Sequence, residues 1–198
     1  MNTRHIDAIE CSAPEIEAGL GELGFPFYMY EPEYRLRVPG ACGVVSEAIR
    51  QNLTGHGYEA FLGVRSLPES PQSRTEQHVI VVVETDAAPL IVDGSYGQLF
   101  APFGMDQWEA ERIGKDIFPA RKLLSFEASD NHVVAEWMSE VVSTFGLRYG
   151  HLEAVRRQAE ARRYFTGMWD LSEYIPWEPS DYIRHDAEKL AGRIEQPV

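Results

Sequence analysis

Residues 79–83 of the chain are an unbroken β-branched run, and residues 90–92, Leu-Ile-Val, follow across a turn at 85–89. A one-sided strand alternates apolar and polar positions, so an uninterrupted run predicts a strand covered on both faces. His78 stands at the start of that strand and Asp93 at the end of the next. If the turn folds the two strands antiparallel, those residues return to the same end of the pair.

Upstream, Val45, Ala48, Ile49 and Leu53 recur at helical spacing and predict a helix from Cys42 or Gly43 to Leu53, with Glu47, Arg50 and Gln51 facing outward. Pro39-Gly40 punctuates the chain before it, and residues 52–57 end it, with Gly55 and Gly57 able to take positive φ. Residues 58–64 read as a strand and 66–77 as a polar Pro/Ser loop. Farther on, a short helix is predicted at 107–113 and a strand at 122–126. A strong helix follows, capped by Ser129 or Asp130, whose stripe is Val134, Trp137, Met138, Val141 and Phe145, stopped by Gly146 or Gly150. A more polar helix covers 152–165. A last one, capped by Ser180, turns Ile183, Ala187, Leu190 and Ile194 inward. Between these two helices, residues 167–179 form an aromatic loop holding Trp169, Tyr174 and Trp177. The first 39 residues show no sustained period beyond a short helix at 6–10 and an aromatic segment at 21–30. The pattern is α+β, and no internal repeat or compositional break divides residues 1–198, so a single domain is expected.

Composition fits that picture. With 198 residues, 44% hydrophobic and 25% charged, one core can bury roughly 70% of the surface of the unfolded chain without a disulfide. Lys and Arg number 18 against 31 Asp and Glu, for a net charge of -13. Such a field repels phosphate backbones and anionic lipid, so neither nucleic acid nor a membrane surface is an expected partner. The two cysteines, Cys11 and Cys42, make no metal-binding spacing with the histidines, and no metal or cofactor is expected. His132 and Glu136, one helical turn apart, with His151, are a weak metal alternative. The opening M-N-T-R-H-I-D-A-I-E has no apolar leader core, and no run approaches the roughly 18 apolar residues of a membrane span, so a cytoplasmic protein is expected.

Candidate chemistry gathers at three residues. Cys42 sits at a helix mouth, where unpaired N-H groups and the positive end of the helix dipole favour a thiolate. Gly43 beside it lets the backbone approach a bound carbonyl. His78 would take the thiol proton and return it to a leaving group, and Asp93 would fix the tautomer of His78. Each has a structural competitor: an inert buried cysteine, a satisfied histidine, and the turn chemistry of D-G-S. The backbone N-H of Cys42 is one oxyanion donor. Arg35, Arg37 and Gln98 are candidates for the second donor or for holding substrate.

G-A-C-G at the helix mouth, H-V-I-V-V-V-E from His78 and V-D-G-S-Y-G-Q-L-F from Val92 together resemble the transglutaminase-like branch of the papain-like cysteine fold, which includes the arylamine N-acetyltransferases. The resemblance covers about residues 36–100. It implies a nucleophile helix packed on a small antiparallel sheet, with Cys42 as nucleophile, His78 as base and Asp93 as orienter. Two positions depart from the family: Val44 where an aromatic residue commonly follows the cysteine, and Ile80 where a Trp commonly follows the histidine.

The expected activity is acyl transfer through an acyl-enzyme on an amide or thioester. Amide hydrolysis of peptidase or deamidase type comes first, and transfer to an amine or a non-catalytic binding domain are the alternatives. A small-molecule or peptide acyl donor, or an acyl carrier, would be the partner. The aromatic segments at 25–30 and 169–177 are expected to keep the site dry.

Overall fold

The computed structural model describes residues 41–66, 77–105, 107–114 and 124–194. The expectations for residues 6–10 and 21–30, and for His5, Cys11, Arg35 and Arg37, lie outside these. So does the body of the polar loop, whose flanks Ser66 and Gln77 belong to strands.

Strands β1 (Ala60–Ser66), β2 (Gln77–Val83), β3 (Leu90–Asp93), β4 (Leu124–Glu127) and β5 (Ile175–Pro176) form one antiparallel sheet in the order β4-β3-β2-β1-β5. From Val79 to Val83 every residue of β2 is buried, as the unbroken run predicts. Its five β-branched side chains divide between two cores. Each stabilises the fold by roughly 1.5–3 kcal/mol on burial, so β2 ties the layers together.

One face carries Val79, Val81 and Val83 with Leu62, Val64, Leu90 and Val92. Against it lies helix α1 (Ala41–Gly55), which inserts Val45, Ala48, Ile49 and Leu53. The buried Ser46 hydroxyl donates to the Val79 carbonyl at 2.9 Å and pins the helix across the strand. Helix α5 (Asp181–Ile194) covers the outer side of α1 through Ala187 and Ile183.

The other face carries Ile80, Val82 and Ile91. Over it fold the 3-10 segment Tyr96–Phe103, α2 (Gln107–Gly114), α3 (Asn131–Gly146) and α4 (His151–Thr166). All five residues of the predicted α3 stripe are buried. Phe100 and Phe165 meet with ring centroids 5.6 Å apart, and Phe126 meets Trp169 edge-on at 5.3 Å. The described chain is therefore α+β: a small antiparallel sheet between helical layers, with residues 131–194 mostly helical. No helix among the described residues is long and apolar enough to cross a membrane.

Four local expectations are corrected. Glu47 does not face outward: it is 1% exposed, and its carboxylate takes the Arg50 guanidinium at 2.7 Å and the Gln51 amide at 2.9 Å. Burial pushes that carboxyl up. The hydrogen bonds from Arg50 and Gln51 and the charges of Arg50 and Arg184 outweigh burial and hold it below the ordinary carboxylate range. Neither Ser129 nor Asp130 caps α3 with its side chain, because a 3-10 turn, Ala128–Asp130, runs into the helix and leaves Asp130 at φ -96°, ψ 8°. The aromatic loop is not wholly irregular, since Ile175 and Pro176 pair with β1 as an edge strand. Finally, Gly43 leaves its space to a side chain rather than a substrate: a Cβ there would lie 2.8 Å from Cη2 of Trp177.

Candidate functional site

Asp93 and His78 share a face of the sheet. Val82 pairs with Ile91; His78 lies four residues before the first and Asp93 two after the second, even steps that keep both side chains on the same side. His78 Nε2 and Asp93 Oδ2 are 2.7 Å apart, with both side chains fully buried. The second Asp93 oxygen, Oδ1, accepts from the Ser95 backbone N-H at 2.8 Å and the Ser95 hydroxyl at 3.1 Å. The turn chemistry of D-G-S and the contact with histidine thus coexist, one on each carboxylate oxygen. Ser95, buried itself, was missed in the sequence, although an Asp-x-Ser turn is its visible signal.

Cys42, the second residue of α1 and 8% exposed, is also a hydrogen-bond partner of His78. Gln98, placed by the 3-10 segment, reaches Nδ1 of His78 with its side-chain amide. Of the tentative substrate residues it alone is described, and it contacts the imidazole.

Burial pushes the His78 imidazole down. The charge and hydrogen bond of Asp93 and the contact with Cys42 more than reverse this and raise it to about 10. At neutral pH the ring is therefore an imidazolium, which donates from both nitrogens. The remaining described histidines, His56, His132, His151 and His185, are exposed on a turn or on helices. Glu136 is taken by Arg162 at 2.8 Å, and no group of three metal-ligating side chains occurs among the described residues.

No protein-family model, curated protein or solved structure matches the chain.

Two aromatic residues from the segment after α4 close over this region. The Trp177 ring lies on Gly43, next to Cys42 in the chain, and the Trp177 backbone N-H donates to the Leu62 carbonyl at 3.0 Å. Tyr174 packs where a Gly63 side chain would stand, and its hydroxyl donates to the Met168 carbonyl at 2.7 Å. A sulfur at a helix start, a charged ring, a fixed carboxylate and an aromatic cover are the components of nucleophilic chemistry with restricted access to water.

Proposed function

We propose that the protein is a cysteine-nucleophile enzyme that transfers an acyl group from an amide or thioester through an acyl-enzyme. The fold would then be of the papain-like, transglutaminase-like kind that the sequence resembles. One observation carries the reading: the buried His78 ring has Cys42 as a hydrogen-bond partner while Asp93 Oδ2 holds its Nε2 at 2.7 Å.

In this reading the His78 imidazolium stands against a Cys42 thiolate. The sulfur adds to the substrate carbonyl carbon, and the oxygen takes the negative charge. The Cys42 backbone N-H, free of an intrahelical acceptor at the second helical position, faces that charge. The carbon to leaving-group bond then breaks, and the departing amine or thiolate takes the proton from His78. In the second half His78, now neutral, removes a proton from water as it attacks the thioester, and the thiolate and imidazolium are restored. Hydrolysis of an amide is the first reading. The cover by Tyr174 and Trp177 favours a second, in which an amine takes the place of water.

Alkylation tests it. At neutral pH iodoacetamide is expected to label Cys42 stoichiometrically and faster than Cys11, and His78→Ala is expected to abolish the advantage. If Cys42 reacts no faster than a free thiol, the domain is a binding module. Trapping the acyl-enzyme and adding amines separates the two enzyme readings: aminolysis supports transfer, and release of acid alone supports hydrolysis.

A further inference from the structure

The cation nearest this site in the sheet is Arg65. It lies on β1 directly across from His78 in the antiparallel register, and a directly opposed pair projects to the same face with Cβ atoms about 5 Å apart. Its guanidinium lies over the Tyr174 ring, 5.7 Å from the centroid, and Nη1 donates to the Gly167 carbonyl. Nε makes only a long contact, 3.4 Å, to the Ser66 carbonyl.

What Arg65 lacks is a carboxylate. Among the described residues no Asp or Glu comes within ion-pair distance, although the other well-placed arginines are paired: Arg50 with Glu47, Arg156 and Arg157 with Glu153, Arg162 with Glu136 and Arg184 with Glu178. The carboxylate of Asp170 is close enough to feel the charge of Arg65, but Oδ1 is bound to the Ser172 N-H and hydroxyl. Arg65 is half-buried, and its Nη2 group has no partner among the described residues. In a chain with 31 acidic residues against 18 basic ones, an arginine across from His78 whose outer edge meets no carboxylate among the described residues is a site for an anion. The planar fork suits a carboxylate.

Tyr174 ties this cation to the rest of the site. Burial pushes the phenol well above its ordinary range. The charges of Asp93 and Cys42 act in the same direction, and that of Arg65 opposes them. One ring therefore lies within the fields of the sulfur, the carboxylate and the guanidinium.

We propose that Arg65 is a specificity-determining residue that receives a carboxylate carried by the acyl donor beside the bond Cys42 attacks. This rests on the acyl-enzyme reading above and adds a substrate class to it: amides or thioesters of acids bearing a second, anionic carboxylate group.

Iodoacetate and iodoacetamide form a matched test pair, since both alkylate the same sulfur with loss of iodide and only the first carries a carboxylate. The readout is the ratio of their rates on Cys42, divided by the same ratio for 2-mercaptoethanol. That ratio is expected to exceed one by about tenfold, the size of one charge-assisted contact, and to fall several-fold in Arg65→Gln. Arg65→Lys, which keeps the charge but not the fork, is expected to retain part of it. The His78 imidazolium also attracts iodoacetate, so only the part lost with Arg65 counts. Misfolding would also return the ratio to that of a free thiol, so Arg65→Gln counts only where iodoacetamide still labels Cys42 faster than a free thiol. A normalised ratio at or below one, or one unchanged in Arg65→Gln, overturns the assignment while a fast iodoacetamide reaction leaves the acyl-enzyme reading standing. If neither reagent outpaces its reaction with a free thiol, that reading falls and takes the role of Arg65 with it.

Discussion

His78 is a buried histidine that burial alone would leave neutral, and Asp93 decides otherwise. Of the forces acting on the ring, desolvation is the largest single one and lowers it, but the charge and hydrogen bond of the carboxylate, added to the contact with Cys42, win and raise it to about 10. Asp93→Asn separates these effects with little change of shape, because the amide oxygen can still accept from the Ser95 N-H and hydroxyl. Without the carboxylate charge, desolvation dominates and His78 is expected to lose its proton below neutral pH. A thiolate at Cys42, as the acyl-enzyme proposal requires, then loses its counter-charge. Alkylation of Cys42 at pH 7 is expected to slow by at least about tenfold. Ring-proton NMR titration of the variant checks the cause directly: a His78 resonance still charged at pH 8 would show that Asp93 is not what holds the proton.

At the scale of elements, helix contacts depend on backbone approach as much as on apolar stripes. Helices α3 and α4 turn back on each other, with Gly150 at φ 106° starting the second. At the end of α3, a Cβ on Gly146 would lie 2.8 Å from the Ala154 Cα, a backbone atom that no rotamer change can move. Gly146→Ala gains up to about 1 kcal/mol of helix propensity, yet the clash forces the helices apart and costs roughly 1–3 kcal/mol. A lower urea midpoint with an unchanged m-value is the expected result. A stabilised variant would mean that the two helices are not held at this distance. The same distinction explains what could be read in the sequence. Periodicity places α1, β2 and the α3 stripe because each buries its own apolar residues, and alternation along an antiparallel pair brings His78 to Asp93. It cannot reveal Glu47 turning inward, since the Arg50 and Gln51 side chains that satisfy it look like any exposed helix face. Nor can it reveal β5, two residues with a proline, or the closure of Trp177 on Gly43. Arg65 facing His78 depends on a register set across a long polar loop, which no local pattern encodes.

For the whole molecule, the ionisation of this one buried site is tied to unfolding. In the unfolded chain His78 returns toward 6.5, whereas in the fold it stays protonated to about 10. At His78 the folded state therefore holds one more proton across that window, and the contribution of this residue to stability must fall as pH rises through it. The contribution is complete below pH 6.5 and is lost by about pH 10, with a slope near 1.4 kcal/mol per pH unit in the middle of the window. Above that range Tyr164, raised to about 12 chiefly by burial, adds to the loss because its phenol ionises more readily once unfolded. On the acid side Glu47 acts with the opposite sign. Its lowered carboxyl stabilises the fold above the ordinary range and ceases to do so as pH falls through its folded value. Net charge does not reproduce the alkaline slope, because a chain at -13 with neutral histidines gains little further charge between pH 7.5 and 9 from carboxylates that are already ionised. Urea unfolding at pH 6, 7.5 and 9 is expected to show a falling midpoint from 7.5 to 9 in the wild type and a nearly level one in Asp93→Asn. Equal midpoints at pH 7.5 and 9 in the wild type would mean that the fold takes up no net proton at this site over that window.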